Sequence, residues 1–190
     1  MFRTFVSFVL IVLILTACSR NESSTNQLIP REAKPEGKRV YGPIEPVVLN
    51  LPEGVIKTLG GSDTYGKPLN KAFIYFKSLN LVVYRDSFDV KSYIESIGGA
   101  FSQLAENKAF TDAADIWAIQ MQQRGTSNFV VMALNPSQVK KYAESKNIAN
   151  LLLDADYLMI NDKIIPPAER MDYYDGKIAA PTPQGFSANR

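Results

Sequence analysis

The sequence predicts an α+β domain, a two-layer sandwich in which an antiparallel sheet carries two helices on one face. Three observations predict it. Short apolar runs rich in β-branched and aromatic residues recur through the middle of the chain, at 71–77, 81–85, 116–122, 129–134 and 157–160. Two intervening stretches space their apolar residues at helical intervals. The chain has one cysteine, at position 18, so no internal disulfide can hold the domain and its core must.

Residues 47–51 and 71–77 are β-prone, with a turn-rich stretch at 60–68 between them. After Ser78-Leu79-Asn80 comes a further such run at 81–85. Asp89 is a plausible N-cap for a helix to about residue 107, in which Val90, Ile94, Ile97, Phe101 and Leu104 fall on one stripe. Gly98-Gly99 within it should cost about 1 kcal/mol each relative to alanine. Either the helix bends there, or something packs closely against its backbone.

Trp117, Ile119 and Met121 alternate with Gln120 and Gln122, as in a half-buried strand, with Trp117 expected in the core. Residues 124–127 turn the chain into 129–134, completing a hairpin. Asn135-Pro136 pairs an N-cap with proline at the first helical position, opening a helix to about residue 146 that Asn147 could close. A last strand at 157–160 turns at Asn161-Asp162 into a short return at 164–165. From 81 to 160 the order is strand, helix, strand, strand, helix, strand. That order matches the βαββαβ of ferredoxin-like folds, here with extra N-terminal strands.

The start of the chain reads differently. Arg3 precedes an apolar run over residues 5–15 that ends in small residues, the form of a secretory signal peptide. At about a dozen residues the run is short of the roughly 20 that a membrane span needs. Leu15-Thr16-Ala17-Cys18 resembles the lipobox of bacterial lipoprotein precursors. The resemblance implies cleavage before Cys18, a diacylglyceryl group on its thiol and acylation of the new amino terminus. Ser19 stands where that family uses aspartate for inner-membrane retention, which implies the outer membrane, facing the periplasm. Several acyl chains hold a protein stably where one does not.

The expected organisation is a signal peptide over 1–17, a lipidated cysteine with a flexible tether over 18–46, a domain over 47–165 and a proline-rich tail over 166–190. The tether carries Pro30, Pro35, Pro43 and Pro46 among polar residues. A flexible chain of that length places the domain on the order of 30 Å from the membrane.

Composition removes whole classes of chemistry. The formal net charge is +2, too small for a nucleic-acid footprint. The chain has no histidine. With the one cysteine committed to lipid, it cannot build a Ser-His-Asp triad, a Cys-His pair, a usual zinc site or an iron-sulfur site. Carboxylate pairs, a Ser-Lys pair or an oxygen-ligated cation remain possible.

Three stretches come near known motifs. Residues 61–67 have the Gly-x4-Gly-Lys spacing of a phosphate-binding loop, but Pro68 replaces the magnesium-binding Ser or Thr and disfavours the helix that should follow. Ser137-Gln138-Val139-Lys140 matches Ser-x-x-Lys without the accompanying motifs in the required order. Asp154, Asp156 and Asp162 cluster without forming a calcium loop. Tyr173-Tyr174 fits an exposed contact as well as a packed one.

No catalytic residue, cofactor or metal is expected. The expected function is that of a lipid-anchored binding or assembly component of a secretion, conjugation or cell-wall complex, touching the membrane through Cys18 and an envelope protein through its body. The rival readings are a cell-wall or glycan-active enzyme using carboxylates or Ser137 with Lys140, and a small-ligand sensor.

Overall fold

The computed structural model describes residues 45–183. Cys18, the signal peptide and most of the tether lie outside the described residues. The described part is α+β, with seven strands in one sheet and six helices.

The strands are β1 (Val47–Asn50), β2 (Lys71–Tyr75), β3 (Ser78–Arg85), β4 (Ile116–Gln123), β5 (Phe129–Leu134), β6 (Tyr157–Ile160) and β7 (Lys163–Ile164). The helices are α1 (Glu53–Leu59), α2 (Val90–Ala105), α3 (Lys108–Ala113), α4 (Pro136–Ser145), α5 (Ile148–Asp154) and α6 (Pro167–Tyr174).

Strand order in the sheet follows chain order, β1 to β7, and this corrects the expected topology. A ferredoxin-like core sets another strand between the two strands of each βαβ unit, whereas here β3 and β4 lie side by side and parallel. The other pairs are antiparallel, so the sheet is mixed rather than purely antiparallel. Each connection holds two helices. From β3 the chain runs through the sixteen-residue α2 and the six-residue α3, and β4 starts beside the beginning of β3. From β5 it runs through α4 and α5 and comes back beside the end it left, so β6 runs antiparallel to β5.

The sequence concealed α5 because Asn147, expected to close α4, instead opens α5, accepting from the N–H groups of Ala149 and Asn150. Lys146, at φ 50°, makes the left-handed closure of α4. The expected proline-rich tail also begins too early: α6 occupies 167–174, with Arg170 and Tyr173 buried.

Alternate strand residues enter the core. Ile74, Leu79, Leu81, Val83, Trp117, Ile119, Met121, Val130, Met132, Leu158 and Ile160 are buried together with Ile94, Ile97, Phe101 and Leu104 of α2. Trp117 is fully buried and donates its indole N–H to the Ala114 carbonyl at 3.1 Å. Asp89 caps α2 as expected, accepting from the Ser92 N–H at 2.6 Å. The glycine pair of α2 marks close packing. A Cβ at Gly98 would stand 2.8 Å from both Leu151 Cδ2 and Tyr142 Oη, and one at Gly99 2.8 Å from Thr58 Cγ2.

Two arginines do structural work that the sequence did not reveal. Arg85, at the end of β3, donates to the Leu59 carbonyl at 2.7 Å, the Thr58 carbonyl at 3.1 Å and the Ser96 hydroxyl at 2.9 Å. It thereby satisfies the C-terminal carbonyls of α1, which have no partner within their own helix. Arg170 does the same for α5, donating to Leu152 at 2.6 Å and Ala155 at 2.8 Å, and also to Ile165 at 3.0 Å. Burial lowers the pKa of both guanidiniums from the usual arginine value, an effect partly opposed by Tyr93 at Arg85 and by Asp156 at Arg170.

Candidate interaction surface

The near-motifs do not assemble into sites. In the 61–67 loop, the Asp63 carboxylate accepts from the N–H groups of Tyr65 and Lys67, both at 2.8 Å. The Asp63 N–H donates to Lys67 O, and the Gly66 N–H to Asp63 O. Four of the loop's amides are thus used within it and that of Ser62 by Tyr84 O, and strand β2 follows where a phosphate loop needs a helix.

Ser137 and Lys140 are exposed on α4, and the Ser137 hydroxyl donates to its capping neighbour Asn135 at 2.5 Å. Asp154 pairs with Lys141 at 2.5 Å, Asp156 accepts from Gln138 at 2.8 Å, and Asp162 is exposed in a turn. Among the described residues, no three His, Cys, Asp or Glu side chains are grouped to hold a metal ion.

Tyr173 and Tyr174 both pack back on the body. Lys163 donates to the Tyr173 hydroxyl at 2.9 Å, and the Tyr174 hydroxyl donates to Glu95 at 2.8 Å. Burial and then the Glu95 hydrogen bond and charge push the Tyr174 phenol up to about 12.

What stands out is the sheet face opposite the buried strand residues. The β2–β3 and β3–β4 registers place Tyr75, Ser78 and Ile116 in one row across it. The β4–β5 and β5–β6 registers align Ala118, Ala133 and Tyr157 in the next. Beyond them Val82, Gln120, Val131, Met159 and Ile164 form a third. Phe73 is 49% exposed, Val82 42%, Ile116 54% and Ile164 61%. Single exposed apolar residues are ordinary, but a contiguous set of them marks a contact surface.

The charge distribution sharpens the feature. Lys71 is the one charged side chain that the strand registers place on this face among the described residues. Ion pairs lie at both ends of the central strands, Lys77 with Asp115 at 3.2 Å and Arg124 with Asp86 at 3.5 Å. A neutral, aromatic- and methionine-bearing centre inside a charged rim is the composition of a protein–protein contact. A cavity of about 270 Å³ opens beside it, lined in part by Asp63, Leu69, Lys71 and Phe73. That is below the roughly 300–1,000 Å³ of ligand pockets.

The hairpin at one end of the face carries a further signal. Phe76 and Lys77, between Tyr75 and Ser78, have φ values of 48° and 58°. Two-residue hairpins with both φ values positive favour Asn-Gly. Here the first position holds a phenylalanine that is 80% exposed. The run read over 71–77 therefore ends in this turn and the strand read from 81 begins at Ser78, because the pairing of Ile74 with Leu79 keeps both on the buried side.

Sequence reasoning missed this face although its signal was present. The polar partners in the alternation of β4 are glutamines rather than charged residues, and β2 alternates Phe73 and Tyr75 with Ala72 and Ile74. No family model matches the chain, and no curated protein or solved structure matches it.

Proposed function

We propose that this chain is a lipid-anchored component of the bacterial cell envelope that works by holding a protein partner and performs no catalysis. Acylated Cys18 fixes it to the outer membrane, and the tether presents the body to the periplasm. In this reading the helices form one layer and the sheet the other, leaving the sheet's open face to meet the partner. The observation that carries the reading is that face, neutral at its centre and rimmed by the Lys77–Asp115 and Arg124–Asp86 pairs. The use of the loop amides at 63–67 within their own turn, and of the Ser137 hydroxyl by Asn135, supports a binding role over the enzymatic rival.

Metabolic labelling of cells with a radioactive fatty acid tests the anchor. The full chain should take up label and sediment with membranes, and Cys18→Ala should do neither. A Cys18→Ala chain that still takes up label removes the lipoprotein reading. The Ser137→Ala/Lys140→Ala double variant should complement a deletion strain as the unaltered chain does, and failure with the fold intact by circular dichroism would favour the enzyme.

A further inference from the structure

We propose that the open face of the sheet pairs with the same face of a second copy of this chain. The inference rests on the partner-holding reading and names the partner.

Charge points to a like partner. Lys71 is the one charged residue that the strand registers place on this face, and Arg124, whose guanidinium lies over the Tyr84 ring there, is paired with Asp86, so the face sets up little repulsion against itself, and each rim pair contains both signs. A two-fold pairing requires such self-complementarity, since one patch must serve both sides. A face built to select a different protein would use charge complementarity to set register and exclude competitors.

Size is compatible. Seven strands about 4.8 Å apart make the face about 29 Å wide, and with strands averaging about five residues it covers on the order of 500 Å². Two such faces remove about 1,000 Å² from water, at the threshold for a specific interface.

Shape agrees as well. Ala118 and Ala133 are partners on adjacent central strands, and the next row carries Val82, Val131 and Met159. Asn80 and Tyr157 complete the alanine row and Gln120 the other, so only the central alanine pair is small; beside the larger Val131 and Met159 it lets two copies interdigitate when a two-fold axis runs across the strands between the rows. Aligned sheets pack about 10 Å apart in this way.

The test uses the full chain in the membranes of expressing cells, with a photoreactive amino acid at Val131 or, as control, at Lys140 on α4. Irradiation should give a product of twice the monomer mass from position 131, containing peptides of this chain alone, and none from position 140. With the photoreactive residue at Met159, Phe73→Ser should lower that product at least about five-fold while circular dichroism stays unchanged. Position 73 is already 49% exposed, so the loss is not one of folding. Capture of a different protein at 131 overturns self-pairing and leaves the partner-holding reading standing. Capture of nothing from 131 or 159 overturns both.

Discussion

At the scale of single residues, Gly98 shows how a helix accepts a poor helix former for the sake of packing. Alanine there would gain about 1 kcal/mol of helix propensity. Its methyl group would press on Leu151 and Tyr142 across α2, and overpacking a full core costs about 1–3 kcal/mol. Gly98→Ala is therefore expected to lower stability by about 1 kcal/mol in urea unfolding, while Gly99→Ala, which meets Thr58 alone, falls nearer zero. A Gly98→Ala protein more stable than the unaltered one would contradict this packing. Three tyrosines set a second residue-scale property. Burial raises the phenol pKa of Tyr93, Tyr142 and Tyr174 above the ordinary 10.0, that of Tyr174 to about 12. A raised phenol favours the folded state while neutral, so its contribution is full below pH 10 and is lost as pH rises toward 12. Stability should fall across that window in pH-dependent thermal unfolding, and Tyr174→Phe should make the fall shallower.

At the scale of elements, the β2–β3 hairpin departs furthest from what its geometry favours. A non-glycine residue at positive φ costs on the order of 1 kcal/mol. Phe76→Asn with Lys77→Gly should raise stability by about 1 kcal/mol or more, read as a higher thermal midpoint. An unchanged or lower midpoint would mean that the exposed phenylalanine stabilises the fold through a contact the strand pairing does not reveal. The short helices show how elements hold one another. α1 and α5 have seven residues each, too few to persist alone. Each has its C-terminal carbonyls satisfied by an arginine from a distant element, Arg85 of β3 or Arg170 of α6. That dependence brings α6 into the folded body although its sequence, flanked by prolines, reads as a tail.

At the scale of the whole molecule, charge is kept at the surface. In every ion pair among the described residues both side chains are at least 32% exposed. The buried Arg170 instead donates to backbone carbonyls. Exposed pairs are worth about 0–1 kcal/mol and are screened by salt. Raising sodium chloride from 0.1 to 1 M, concentrations at which the screening length falls from about 10 to 3 Å, should therefore shift unfolding stability by less than about 1 kcal/mol. A larger loss would show that ion pairs, not the core, hold the molecule. Most strands were legible in the sequence because half-buried strands alternate apolar and polar residues: β5 and β6 end where their runs end. Helices α1, α3 and α5 were not, because six or seven residues span too few turns to display a period. The open face was half legible. Gln120 and Gln122 were read as the outward side of one strand, but only strand pairing shows which residues of the other strands share that side.

The sequence by itself determined the class of fold, the core positions of β4 and the buried stripe of α2, the caps at Asp89 and Asn135, and the expectation of a lipid anchor at Cys18. These are local: a period, a cap or a signal is written in neighbouring residues. Tertiary structure alone decided the order of the strands, the parallel pairing of β3 with β4, the tasks of Arg85 and Arg170, and the gathering of Phe73, Val82, Ile116, Val131 and Met159 on one side. Each joins residues far apart in the chain, and no local pattern of period, cap or turn records such a pairing.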